Sequence, residues 1–336
     1  MFVLGIETSC DETACAVVQD GRLIHSNIVA TSLREHSKFG GIIPEIASRR
    51  QLELIGAVVE SSLERASLTL KDIDAIAVTR SPGLIGSLLV GISYARALSF
   101  AAKKPLIDVD HIKAHLYANF LESYPVAGTP KEMPKLPAIG LIVSGGHTNL
   151  YLMKSPTDYK LLGQTRDDAA GEAFDKVSRI LGLGYPGGPA IDRIAKEGVN
   201  NRIRFPQSPM EGTHDFSFSG VKTAVLQYHQ KNKAASKNDL AQIAYSFQDS
   251  VVAILVKKSI ALCLQKKIKT LLIGGGVAAN STLRQKLNEE GEKNGIKIFV
   301  PPMSLCLDNA AMIAGSGYHL LKTKKPTKKR IIVSKK

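Results

Sequence analysis

No CxxC pair occurs in the chain, and its four cysteines, Cys10, Cys15, Cys263 and Cys306, have neither metal-ligand spacing nor the density of a disulfide scaffold. Reduced thiols, buried or half-buried, are the expectation. Long hydrophobic runs are missing too. The main uncharged candidate for a membrane span, residues 81–95, lies between Arg80 and Arg96 and is interrupted by Gly83, Gly86 and Gly91. It falls short of the roughly 20 apolar residues that a bilayer requires. The opening "MFVLGIETSCDE" lacks a basic n-region and a cleavage site, so it does not read as a signal peptide. A cytoplasmic protein with no membrane contact follows. Three catalytic or nucleotide motifs are also absent. "LLIGGGVAANSTLRQKL" fits neither GxGxxG nor GxxxxGK[ST], and no HExxH occurs, since Ile112 follows His111.

What is present suggests two domains, because 336 residues with 44% hydrophobic content fill two cores of ordinary size. The net charge is +14, and the eight Lys and Arg of "KTKKPTKKRIIVSKK" (322–336) supply more than half of it. Such a tail on a moderately basic body suits a polyanion such as nucleic acid, and suits a solvated, disordered tail equally well.

Strand-like runs "FVLGIET", "ACAVVQDG" and "RLIHSNIVA" open the chain, with a polar turn at "SCDE". A helical stripe of Leu52, Ile55, Val59 and Leu63 follows, with Pro44 suited to the first turn. Further strands and helices alternate to "PLIDVD", the pattern of an α/β domain. The segment 122–137 holds four prolines without periodicity and reads as a linker. Beyond it "AIGLIVSGGHTNLYLMKS" repeats the strand–turn–strand opening, which suggests two related α/β domains. Later come a helix near "GEAFDKVSRILGLG", a long one from Asp239 to about Lys266, the strand "KTLLIGGG" and a last helix from "DNAAMIAGSGYHLL".

Several polar groupings stand out. His111 and His115 lie four apart after "PLIDV", so a helix starting there turns both imidazoles to one face. Eight histidines give about 0.2 such pairs by chance. Asp308 lies at a strand-to-helix junction, where an aspartate is more often an N-cap than a ligand; with two histidines it would nevertheless make a three-ligand site with open positions. The turns "TSCDE" and "VSGGHT" offer backbone N–H groups and small residues that can approach phosphate or carboxylate oxygens. Asp167, Asp168, Glu172, Asp175 and Asp192 surround glycines, where they can serve ribose hydroxyls, an amine, a metal or simply helix caps.

These motifs together resemble the Gcp/TsaD family of tRNA threonylcarbamoyladenosine transferases. "GIETSCDET", "GGIIPEIASR", "SPGLIGSLLVG", "VDHIKAHLYA", "IVSGGHT", "DDAAGEAFDK", "YPGGPAID", "FSFSGVKT", "GGGVAAN" and "LDNAAMIA" occur in family order from Gly5 to Ala314. The resemblance implies a two-lobed actin-like, Hsp70-like, sugar-kinase-like fold of duplicated RNase H-like α/β domains. It divides the chain into an N-terminal lobe (1–132), a C-terminal lobe (133–307), a final helix packing back on the first lobe (308–321) and the basic tail (322–336). It implies one divalent metal on His111, His115 and Asp308, Fe(2+) foremost with Zn(2+) or Mg(2+) as alternatives. It implies a threonylcarbamoyladenylate site made of Ile142, Val143, Ser144, Gly145, Gly146, Asp175, Gly188, Asp192 and Asn280. Lys113, Ala114 and Leu307 depart from the residues usual in the family, and the expected consequence is tuning of the site.

The implied reaction moves a threonylcarbamoyl group to N6 of the adenosine immediately 3′ of the anticodon, in tRNAs reading codons that begin with A, and releases AMP. Asp11 or Glu12 is the candidate proton acceptor. The implied partners are tRNA, a paralogous non-catalytic protein of the TsaB type and a small P-loop ATPase of the TsaE type. The helix "ELIGAVVESSLERA" is a candidate partner surface, unless its own lobe buries it. Competing readings are a metalloprotease, disfavoured by the missing HExxH, an actin-fold kinase or ATPase, and a non-catalytic ATP-binding subunit.

Overall fold

A computed structural model describes residues 1–125, 131–198, 203–207, 210, 212–232 and 236–323. The basic residues beyond Thr323 and the centre of the proline-rich linker, 126–130, lie outside the described residues. In chain order the elements are β1 (Phe2–Glu7), β2 (Glu12–Gln19), β3 (Leu23–Thr31), α1 (Leu33–Ser37), α2 (Pro44–Arg65), β4 (Ala75–Ser81), α3 (Ile85–Ala102), β5 (Leu106–Asp110), α4 (His111–Tyr117) and β6 (Glu122–Ser123). Then follow β7 (Ala138–Val143), β8 (Thr148–Ser155), β9 (Asp158–Gln164), α5 (Ala170–Ile180), α6 (Gly187–Ala195), α7 (Ser219–Asn232) and α8 (Lys237–Lys266). The last are β10 (Thr270–Gly274), α9 (Ser281–Asn294), β11 (Lys297–Phe299) and α10 (Ala310–Thr323).

The chain packs as two units, Met1–Met133 with the segment from Pro302 onward, and Pro134–Pro301. Each contains the same five-stranded motif. In the first unit the strand order is β5-β4-β1-β2-β3, with the short β6 added beyond β3. In the second it is β11-β10-β7-β8-β9. The first three strands of each motif are an antiparallel meander, and the last two join parallel to its first strand. The repeated strand–turn–strand sequence is thus a repeated sheet, the duplicated α/β architecture expected of an actin-like fold.

In the first unit, alternation along β1 sends Leu4 and Ile6 into a core with Ile55, Val58 and Val59 of α2 and Leu88, Ile92 and Ala95 of α3. Gly5 and Glu7 therefore face the other side of the sheet, where α10 crosses β1. A side chain at Gly5 has no room there: its Cβ would lie 2.7 Å from the Ala314 amide nitrogen.

One helical expectation is corrected. The buried stripe of α2 is Ala47, Gln51, Ile55, Val58, Val59 and Ser62, while Leu52 is 70% exposed. Leu52 sits about 100° around the helix from Gln51, so a stripe centred on Gln51 and Ile55 turns it outward. Local spacing favoured the leucine, and the glutamine took the core because it has backbone carbonyls to satisfy there. Among the described residues, α3 is long and apolar enough by length and composition to cross a membrane. Its Leu88, Ile92 and Ala95 are core residues of the first unit, and Arg96 lies within it.

Candidate metal centre and ligand turn

Strand β5 ends at Asp110, which caps α4 by accepting the Lys113 amide at 3.1 Å. Both histidines of the short helix are buried, with ring centroids 4.7 Å apart. Asp308 arrives just before α10 and directs one carboxylate oxygen at both rings: Oδ1 is 3.4 Å from His111 Nε2 and 3.1 Å from His115 Nε2. One donor atom from each residue lies within 4.8 Å of the others. The N-cap role open to Asp308 is filled by its neighbour, since Asn309 Oδ1 accepts the Met312 amide at 3.1 Å. Asp308 is therefore free for the histidines. Lys113 is drawn away, its Nζ 2.8 Å from Asp110 Oδ2.

Electrostatics reinforce the cluster. Burial opposes charge on His111, but the carboxylates of Asp308 and Glu7 outweigh it and hold the imidazole pKa well above its ordinary value. Burial alone would raise Asp308, yet His111 and then His115 hold its carboxyl far below the usual range. Two imidazole nitrogens and a carboxylate oxygen, all within 4.8 Å of one another, are a donor set that a divalent ion fits.

The turn "TSCDE" runs beside this cluster. Gln51 Nε2 donates to the carbonyls of Cys10 and Glu12, both at 2.9 Å. The Leu84 amide donates to Ser9 O at 2.8 Å, and Ser87 Oγ donates to Cys10 O at 3.3 Å. Burial pushes the Glu12 carboxyl well up, aided by the nearby charges of Asp308 and Asp11. The Cys10 thiol is raised by burial and then by Asp308, Asp11 and Glu12, so it stays protonated.

In the second unit, the turn after β7 is gripped from two sides. Gly171, at the start of α5, donates its amide to Ser144 O at 3.1 Å. Gly275, at a positive φ of 94°, lies so close that a Cβ would stand 2.8 Å from the Val143 carbonyl carbon. Ile142 and Val143 are buried in β7, Ser144 binds His147 within the turn, and Gly145 and Gly146 are exposed with open space around them. Asp175 Oδ1 accepts the Gly187 amide at 2.7 Å, and burial raises its carboxyl. Gly188 faces open space. Asp192 accepts Ser281 Oγ at 2.9 Å, next to Asn280, whose Oδ1 caps α9 and whose Nδ2 binds Gln248. These contacts join the four stretches in sequence: the turn after β7 to the start of α5, α5 to the start of α6, and α6 to the start of α9.

Sequence reasoning missed Glu7, Gln51, Gly171 and Gly275. An acidic residue closing the apolar run "FVLGI" was the available signal for Glu7; Gln51 had only its place within the Ile55 stripe.

The sequence pattern defining the family described as TsaD, tRNA N6-adenosine threonylcarbamoyltransferase, matches residues 24–315. A tRNA N6-adenosine threonylcarbamoyltransferase of Clostridium botulinum is 52% identical over 318 residues, spanning 94% of this chain and 91% of that protein. One of Caldicellulosiruptor saccharolyticus is 50% identical over 322 residues, spanning 96% and 93%. In backbone the chain is similar to HypF of T. kodakarensis, with a TM-score of 0.61 at 16% identity, over 97% of this chain and 48% of that one. That last likeness speaks for the fold alone.

Proposed function

The chain belongs to the tRNA N6-adenosine threonylcarbamoyltransferase family, and from that membership we propose how its residues carry out the transfer. The enzyme is an acyltransferase that modifies tRNA. Our reading takes threonylcarbamoyladenylate as donor and the adenosine immediately 3′ of the anticodon, in tRNAs reading codons that begin with A, as acceptor. The N6 lone pair attacks the carbamoyl carbon, the bond from that carbon to the phosphate oxygen breaks, and AMP leaves with the electron pair. One N6 proton must be taken up.

The observation that carries the reading is the convergence of His111, His115 and Asp308 on one point. These three residues would hold a divalent ion. The N2O donor set favours Fe(2+) or Zn(2+) over Mg(2+), which prefers an all-oxygen octahedron. When bound, the ion supplies Lewis-acid stabilisation of negative charge on oxygen. The exposed amides of Gly145 and Gly146 suit the phosphate or threonyl carboxylate of the donor, with Ile142, Val143 and Ser144 shaping the turn. Asp175, Gly188, Asp192 and Asn280 complete the adenylate-binding set. Asp11 and Glu12, side by side at the start of β2, are the two candidate proton acceptors.

A paralogous partner of the TsaB type is supported by the outer face of α2 and α3. Leu52 and Leu89 are exposed there around a groove of about 330 Å³ that Ile55, Val90, Ser93 and Tyr94 also line. A TsaE-type ATPase completes the assembly, and the purified chain alone turns over slowly. The four cysteines, none of them in a disulfide, suit a cytoplasmic location.

The test is incubation with tRNA, threonine, bicarbonate, ATP, a threonylcarbamoyladenylate synthase and the companion proteins, followed by nucleoside mass spectrometry. Threonylcarbamoyladenosine should appear only when this chain is present. Unmodified tRNA, together with steady ATP turnover in its absence or chelator-sensitive peptide cleavage, would instead point to the kinase or protease reading.

A further inference from the structure

We propose that Glu7 is a positioning residue for the ligand His111: its carboxylate holds the Nδ1–H of the imidazole, so that Nε2 presents its lone pair towards His115 and Asp308. This rests on the metal reading above.

Glu7 ends β1 on the face that α10 and α4 cover, and it is fully buried. A buried carboxylate is tolerable only when donors surround it. Three do. Oε1 accepts the Ser9 amide at 2.5 Å, and Oε2 accepts Thr79 Oγ1 at 2.6 Å and His111 Nδ1 at 2.9 Å. The Ser9 amide and the Thr79 hydroxyl fix where the carboxylate sits, and the carboxylate fixes the ring.

Nδ1 has a second neighbour, Ser9 Oγ at 3.2 Å, whose hydroxyl can either donate or accept. If Ser9 donated to a bare Nδ1, the proton would move to Nε2 and point at Asp308, closing the ring to a metal. The Glu7 oxygen forbids that state, because an Nδ1 lone pair would then face a carboxylate at hydrogen-bond distance. His115 has no equivalent partner, since its Nδ1 is buried without a hydrogen bond. One of the two histidines is therefore held in its ligating form, and the carboxylate–histidine pair is the device that metal sites use to hold a ligand.

Glu7→Gln separates this role from mere space-filling. The Ser9 amide can only donate, so the terminus facing it must remain oxygen and the NH₂ must face Thr79 and His111. The hydroxyl can rotate to accept, whereas His111 Nδ1 is forced to accept and its proton goes to Nε2. The opposite amide orientation sets two donors against each other at Ser9. The full-length protein, stripped of metal, is titrated with Co²⁺, with affinity and the visible absorption spectrum recorded and folding checked by thermal denaturation. The expected result for folded Glu7→Gln is Co²⁺ affinity lower by about 10- to 100-fold, with an altered spectrum. Wild-type affinity and spectrum would overturn the proposal. A larger loss in Ser9→Ala than in Glu7→Gln would also overturn it, giving the role to Ser9. If Glu7→Gln fails to fold, long-range ¹H–¹⁵N spectra of histidine-labelled, Zn²⁺-loaded wild-type protein decide. A proton on His111 Nδ1 is expected, and one on Nε2 overturns the proposal. Failure of the wild type to bind either ion would instead overturn the metal reading, and this proposal with it.

Discussion

Replacing Gly5 with alanine should weaken a metal centre it does not touch. In β1 the new Cβ would stand 2.7 Å from the Ala314 amide nitrogen and 2.9 Å from the Ala314 Cβ, and closer still to the Ala310 carbonyl oxygen. Two of those three obstacles are helix backbone, which has no rotamer to escape into. Ordinary contact needs about 3.5 Å, so α10 must withdraw by roughly 0.8 Å or more. Overpacking of this kind costs about 1–3 kcal/mol. At roughly 2–4 °C per kcal/mol for a unit of this size, the melting temperature should fall by about 2–12 °C. Asp308 lies only two residues before α10 and moves with it. Metal–ligand distances tolerate about 0.2 Å, so metal affinity should fall at least roughly 10-fold. Thermal denaturation and Co²⁺ titration on one preparation read both effects. Gly56→Ala is the control: nothing lies within 4 Å of its Cβ position in the interior of α2. That change should stabilise the isolated protein by roughly 0.5–1 kcal/mol. Gly5→Ala protein that melts and binds metal like the wild type would refute the idea that β1 sets the position of α10 and Asp308.

His111→Ala, His115→Ala and Asp308→Asn should each lose metal and transfer activity together, while Lys113→Ala, whose amine is held by Asp110, should keep its metal; elemental analysis and nucleoside mass spectrometry check this. With the His111 pKa raised by Asp308 and Glu7, protons compete with metal above the ordinary value of about 6.5, so affinity should keep climbing with pH beyond it. In the metal-free protein the same raised pKa adds stability that is fully present below about pH 6.5 and disappears as pH rises through the folded value; melting curves across pH would contradict this if stability were flat there. Gln51→Leu removes two hydrogen bonds from buried carbonyls and should cost about 2 kcal/mol, lowering transfer more than metal content. Deleting residues 324–336, with their seven Lys and Arg, should weaken tRNA binding and flatten its salt dependence, and an unchanged salt slope would make that segment a bystander.

The fold was legible where sequence carries periodicity. Two strand–turn–strand openings gave away the two equivalent sheets, because each strand alternates and each turn is rich in small polar residues. The histidine pair was legible for the same reason: a spacing of four has one meaning on a helix. What stayed hidden depended on partners distant in sequence. Asp308 and Asn309 both suit a helix start, and only the approach of α4 assigns the cap to Asn309 and the histidines to Asp308. Glu7 reads as a charge ending a strand, and its meaning comes from His111, 104 residues away. Leu52 was misjudged because a leucine at helical spacing resembles core, whereas the buried place went to Gln51, which the turn requires as a donor.

That exchange of positions links the outer face of the first unit to its chemistry. Leu52 and Gln51 are adjacent on α2, one exposed on the apolar groove and the other clamping the carbonyls of Cys10 and Glu12. From α3, Ser87 and the Leu84 amide hold the same turn, and Gly91 packs so tightly on Thr8 that no side chain fits between them. Neither helix can shift by an ångström without breaking these bonds or moving the turn, because a packed interior has no slack to absorb the displacement. A partner seated on α2 and α3 therefore acts on residues 8–12 through direct hydrogen bonds. The raised carboxyl of Glu12 is among the groups it would reposition, and so is Ser9, whose amide holds Glu7 and through it His111. Partner binding should accordingly change both the rate of transfer and the affinity for metal, and a metal affinity untouched by the partner would place the coupling elsewhere.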